Sequence, residues 1–173
     1  GGKIIEVATF RNLPEHRLEP DQKEKDYMMK RDNQYGSPRE DAARRDFSLN
    51  ALFFDPRNES LIDYTGGFDD IKKQRISVIG PPDISYKEDP VRMLGAAKFA
   101  ARLDFQIDKR TGKAIRRNKH EIAKASPARM LDEYAKIFRT GKSAEIFRSF
   151  YDTGLFKAMF PEAYAASDCG SVE

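Results

Sequence analysis

A chain of 173 residues with 39% hydrophobic residues can build one large domain or two small ones, and its 31 basic residues against 28 acidic ones leave a net charge of only +3. Nucleic-acid contact must therefore come from local clusters rather than bulk charge. The single cysteine, Cys169, excludes an internal disulfide and a thiolate metal cage, His16 and His120 lack ligand spacing, and no apolar run approaches the roughly 18 residues of a membrane span. With no basic-then-apolar segment at its start, the expected setting is cytoplasmic and no membrane partner is expected.

In chain order, residues 4–11 alternate like a half-buried strand, with Glu6 either in a site or facing water. Residues 12–38 are charged and aperiodic, so a loop is expected, closing over substrate or lacking fixed structure. A helix is expected from near Ser37-Pro38 through Glu40, Asp41 and Ala42. Residues 49–54 read as a strand, Asp55-Pro56-Arg57-Asn58 as its turn and residues 61–64 as its partner. Gly66-Gly67 opens a short helix over residues 69–73, and the missing Cβ atoms permit close backbone approach. No Gly-Lys-Ser/Thr follows, so this is not a P-loop. Residues 76–79 close the sheet part.

Pro81-Pro82-Asp83 marks a boundary, beyond which helices are expected over residues 90–103, 109–118, 128–140 and 142–152. Phe147, Phe150, Tyr151, Leu155, Phe156, Met159 and Phe160 recur at helical spacing and read as packing rather than a cofactor box. Lys109, Arg110 and Lys113, then Arg116, Arg117, Lys119 and His120, gather positive charge on or beside one helix, which suits either RNA phosphates or a solvated face. Residues 165–173 read as a frayed end.

Two segments carry the chemistry. Asp89 before Pro90 suits a helix N-cap with proline in the first turn, and Arg92, three residues on, rises from the same face. A carboxylate only accepts hydrogen bonds and a guanidinium only donates them. Adenine and cytosine present an amino donor beside a ring-nitrogen acceptor, whereas guanine and uracil present the reverse. The pair therefore suits A and C and rejects G and U; read alone, Asp89 could equally be only a cap. Upstream, Arg44 and Arg45 are permanently charged forks for phosphate oxygens. Asp46 and Asn50 lie one turn apart if the stretch is helical, a spacing that can hold a ribose hydroxyl or a metal.

Arg44-Arg45-Asp46-Phe47-Ser48-Leu49-Asn50-Ala51 resembles the RRDFTxNA motif of class II nucleotidyltransferases, the family of bacterial poly(A) polymerases and CCA-adding tRNA nucleotidyltransferases. Residues 63–70 are similar to its D-x-x-GG-x-D segment, residues 88–100 to its EDPxRxLRAxRFA helix, and residues 127–133 to the P-x-R-x-x-x-E segment that stabilises its helical neck. Four motifs in the right order span most of the chain. The wording of residues 35–42 and 88–94 is more similar to bacterial poly(A) polymerases than to CCA-adding enzymes.

The resemblance implies an α+β fold: the C-terminal part of a polymerase-β-like nucleotidyltransferase head over residues 1–82, followed by an all-α neck over residues 83–173. It implies template-independent addition of nucleotides from a nucleoside triphosphate to an RNA 3′ end, of mRNA or tRNA, by a two-metal magnesium mechanism. Glu6 would bind metal, with Asp46 near metal or ribose. Arg44 and Arg45 would hold the triphosphate, with Asn50 in support, Asp89 and Arg92 would read the base, and Lys98, Arg102, Arg116 and Arg117 would meet RNA. The family's glycine-rich segment and D-x-D pair are expected before Glu6 and are not in this sequence, so a fragment inactive on its own is expected. A non-catalytic RNA-binding module is the alternative of a different class. Within the helix motif, Gly95 stands where the family has arginine, at a helix cost of about 1 kcal/mol relative to alanine, and Lys98 replaces a second arginine.

Overall fold

The computed structural model describes residues 4–12 and 34–168. The expected loop falls mostly on residues 13–33, which, like His16 and Cys169, lie outside the described residues. Residues 4–10 form no strand. Ile4, Ile5 and Val7 are exposed, and among the described residues the pairing of this segment is a bridge between Arg11 and Tyr35. Alternation alone does not make a strand; a neighbour must take up its backbone hydrogen bonds.

Helix α1, Pro38–Ala43, starts where expected because Ser37 and Glu40 form a reciprocal capping box. A 3₁₀ turn, Ser48–Asn50, replaces the first part of the expected strand, so Asp46 and Asn50 do not share an α-helical face. Strands β1, Leu52–Asp55, and β2, Ser60–Asp63, form an antiparallel hairpin with Leu52 opposite Asp63 and Asp55 opposite Ser60. Its turn is held by Asp55, which accepts from the Arg57 amide at 3.0 Å, and by Asn58, which accepts from the Ser60 amide at 3.1 Å.

The glycine pair has a specific cause. The Asp63 carboxylate accepts from the amides of Thr65, Gly66, Gly67 and Phe68, satisfying the start of α2, Gly67–Lys72. Burial raises the pKa of Asp63, but these four amides outweigh it and hold the carboxyl below its ordinary range. Gly66 sits in the left-handed region (φ 79°), while a Cβ on Gly67 would stand 2.2 Å from the Ser48 carbonyl oxygen. Buried Asp70, on the same helix, accepts from the Ser48 hydroxyl at 2.5 Å and from Arg75 Nε at 2.8 Å.

Strand β3, Arg75–Ile76, pairs in parallel with β4, Gln106–Ile107, a strand that the sequence pattern did not reveal because it is only two residues long. Between them lie α3, Pro82–Glu88, which was not expected, and α4, Arg92–Leu103. Then follow α5, Lys109–Asn118, a 3₁₀ turn over Lys119–Lys124, α6, Pro127–Phe138, α7, Ser143–Thr153, α8, Leu155–Met159, and α9, Pro161–Asp168. The last helix replaces the expected fray over residues 165–168. The result is a mixed but mostly helical fold. Its hydrophobic cluster joins Phe47, Ile76 and Val78 to Tyr86, Met93, Leu94, Ile115, Ile137, Ile146, Phe150 and Leu155. The sheet segments and the helices thus share one core, and whatever is anchored beside Phe47 is held against α4.

The two adjacent glycines should respond differently to alanine. G67A should destabilise by about 3 kcal/mol, because the Ser48 backbone has to move, and G66A by about 1 kcal/mol, for the left-handed backbone alone. Equal losses in denaturant melts would contradict the close-approach assignment.

Candidate nucleotide site

The double arginine is organised by a residue that the sequence pattern marked only as helical. Asp41 is 2% exposed and accepts from Arg44 Nε at 2.9 Å, from Arg45 Nε and Nη2 at 3.1 and 2.9 Å, and from the Arg11 amide at 3.1 Å. Burial pushes its carboxyl pKa up. Hydrogen bonds from Arg44, the Arg11 amide and Arg45 outweigh burial and hold the carboxyl below its usual range. Both guanidinium groups remain partly exposed, and Arg45 also stands over the Phe53 ring at 5.8 Å. The available signal was local: an acid three and four residues before two arginines.

The chain then turns Asp46 toward α4. Asp46 Oδ1 lies 2.8 Å from Nε of Arg92, whose side chain is only 15% exposed. The Arg92 N–H makes no hydrogen bond there, so the contact is an ion pair by proximity. Arg92 Nη1 donates to Ser85 Oγ at 2.8 Å, and its Nε is 3.9 Å from Asp89 Oδ2. Asp89 Oδ1 accepts from the Val91 amide at 3.3 Å, the capping contact the sequence suggests, made just ahead of the regular helix. Asp89 ends α3 in an extended conformation, and α4 begins at Arg92, after a turn in which the Arg92 amide donates to the Asp89 carbonyl. The pairing of positions 89 and 92 survives because that turn keeps them adjacent. Asp89 also accepts from Arg129 Nη2 of α6 at 2.8 Å, so Arg129, expected only to stabilise the helices, occupies the carboxylate that the sequence reading assigned to a base.

Other expected site residues fall elsewhere. Glu6 is exposed in the segment before Arg11, and Asn50 is exposed at the end of its 3₁₀ turn. Lys98 donates to Glu133 at 2.6 Å in an ion pair whose two side chains are each 13% exposed, which makes it a link between α4 and α6. Arg102 is exposed near the end of α4. Arg116 and Arg117 lie on α5, and Arg117 pairs with Asp83 through two hydrogen bonds, of which the Nε bond is 2.8 Å. Gly95 has the packing reason that the sequence did not disclose: a Cβ there would come within 3.3 Å of the Phe47 ring. A cavity of about 570 Å³ opens nearby, lined by Arg39, Tyr64, Lys73, Arg75, Asp108 and Arg110 among others, but by none of the nucleotide-binding candidates.

Comparison with known proteins places this geometry. Residues 1–77 match the family described as "Poly A polymerase head domain", and residues 104–166 match "Probable RNA and SrmB- binding site of polymerase A". The chain belongs to the class II nucleotidyltransferase family. Poly(A) polymerase I of Haemophilus influenzae is 41% identical over 163 residues, covering 93% of this chain and 36% of that protein. The CCA-adding enzyme of Bacillus licheniformis is 33% identical over 159 residues, covering 91% of this chain and 38% of the relative. Among solved structures, the Bacillus stearothermophilus CCA-adding enzyme in complex with CTP superposes with a TM-score of 0.65 at 32% identity, over 70% of this chain and 31% of that one. The chain spans about a third of the length of the curated relatives it matches.

Because Asp41 has a lowered folded pKa, its stabilisation is complete above the ordinary Asp value of 3.8 and disappears as pH falls through the lower folded value. D41N should lose about 2 kcal/mol at neutral pH. The difference from wild type should shrink in melts taken progressively below pH 3.8. A gap independent of pH would show that the carboxylate charge is not what holds the arginines.

Proposed function

We propose that this chain is the nucleotide-selecting part of an RNA 3′-end nucleotidyltransferase that adds AMP from ATP, a poly(A) polymerase. The observation that carries the reading is the Asp46–Arg92–Asp89 cluster beside the Asp41-anchored arginines. Arg44 and Arg45 would take triphosphate oxygens, and Asp46 the ribose. Asp89 and Arg92 would accept from and donate to the edge of adenine, the base displacing Arg129 from Asp89. The head is read as residues 1–82 and the neck as residues 83–173. The 41% identity to a poly(A) polymerase I supports ATP over CTP, while a CCA-adding activity draws support from the similarity to a CTP-bound enzyme and from the equal fit of cytosine to Asp89 and Arg92.

Magnesium is the metal this chemistry calls for, but the described residues do not assemble a site for it. Glu6 is exposed, and no group of three His, Cys, Asp or Glu side chains comes together among them. Among the described residues no helix is long and apolar enough to cross a membrane.

Extension assays with the whole protein, offering ATP, CTP, GTP or UTP on an unstructured RNA and on a tRNA lacking its CCA end, test the reading. Long A-tails are expected on the unstructured RNA; addition confined to C, C and A on the tRNA would replace poly(A) addition with the CCA reading. D89A should reduce the preference for A over G by about a hundredfold, with a smaller loss of overall turnover. An equal loss with all four nucleotides would reduce Asp89 to a structural residue.

A further inference from the structure

Helix α5 carries cations at both ends, favoured by the backbone dipole in its last turn, where Arg116 and Arg117 stand, and disfavoured in its first. Lys109 and Arg110 occupy its first turn, the end at which the backbone dipole favours anions, and its ten residues include no acid. Lys113 follows Lys109 by four residues and Arg116 follows Lys113 by three, so like charges neighbour one another along a single row. The helix forms nonetheless. Asp108 caps it by accepting from the Arg110 and Thr111 amides, and Thr111, Gly112, Ala114, Ile115 and Asn118 are buried. Cations that repel one another and have no ion-pair partner among the described residues to offset it are candidates for a functional role.

The tertiary contacts divide these cations into two rows. Arg117 is bound to Asp83 and Arg110 donates to the Gly80 carbonyl, so the flank of the helix is tied to α3 and to the segment before it. Lys109, Lys113 and Arg116 lie on the opposite side from the buried residues 111, 114, 115 and 118, about 180° away at 3.6 residues per turn. All three are exposed and form no ion pair among the described residues. They step along the axis by about 6 and about 4.5 Å, within reach of consecutive phosphates on one strand.

We propose that Lys109, Lys113 and Arg116 form a phosphate-contacting row for single-stranded RNA, which supplies sequence-independent affinity, and that Arg110 and Arg117 are structural. This rests on the RNA nucleotidyltransferase reading and specifies where that enzyme would hold its substrate backbone. An RNA backbone fits this surface better than an acidic protein does. Among residues 104–130 no large hydrophobic side chain is exposed, and a protein interface needs apolar or aromatic anchors at its core.

The test is fluorescence anisotropy of the 173-residue chain with a labelled oligoadenylate across a KCl series. Each phosphate contact on a single strand contributes about 0.7 to the slope of log affinity against log salt. K109Q/K113Q/R116Q should therefore lower that slope by about 2 and weaken binding at low salt by tenfold or more. The triple variant should melt no lower than wild type, since it removes repulsion. K113R should bind as wild type does. R117Q should keep the slope while lowering the melting temperature, and K72Q/K73Q/K142Q should keep the slope although it removes equal charge. An unchanged slope in the triple variant, or an equal drop in the K72Q/K73Q/K142Q control, would overturn the row while leaving the RNA reading intact. Wild-type chain that fails to bind RNA at any salt would overturn both. Displacement of RNA by polyglutamate at comparable charge concentration would assign the row to an acidic protein partner instead.

Discussion

A guanidinium taken largely out of water has to be surrounded by acceptors or it destabilises the fold by several kcal/mol, and Arg92 is the residue on which this requirement falls. It donates to Ser85 of α3, and two carboxylates supply the opposite charge: Asp46 from the segment after α1 and Asp89 from the junction that precedes α4. Neutralising one side chain therefore draws the double-arginine segment and the helical part together. Phe47 reinforces the joint, since its ring packs on Gly95 one turn further along the same helix. An arginine at position 95 would have to share that space with the ring.

The same logic extends outward. Asp89, needed by Arg92, is also held by Arg129, and Lys98 and Glu133 make a second link between α4 and α6, in which hydrogen bonds from Lys136 and Lys98 outweigh burial and keep the Glu133 carboxyl below its ordinary range. Two of the family's motifs, the α4 helix and the P-x-R-x-x-x-E segment, are thus partners in a single charged network. In the nucleotidyltransferase reading, Arg129 becomes the group that a base has to displace, so it fills an acceptor position without competing through shape.

Charge on α5 follows from a different constraint. Helix α5 packs on α3 and α7, and this decides which of its cations turn inward to Asp83 and Gly80 and which stay in water. Adjacent residues with identical chemistry, Arg116 and Arg117, end in different environments because one step along a helix is a rotation of about 100°.

The sequence by itself determined what is local. The helix start near Ser37, the hairpin turn at Asp55, the glycine pair, four further helices and the four family motifs were all legible, because each depends on residues a few positions apart. The short strand β4 and helix α3 were not, and the alternating residues 4–11 suggested a strand that has no ladder among the described residues. Which charges find which partners was decided only by the tertiary structure. Asp41 orienting both arginines could have been inferred from its spacing, but Asp46 meeting Arg92, Arg129 holding Asp89, Lys98 turning to Glu133 and Arg117 to Asp83 could not. Those pairs join residues far apart in the chain, and their geometry exists only once helices and hairpin close around a common hydrophobic core.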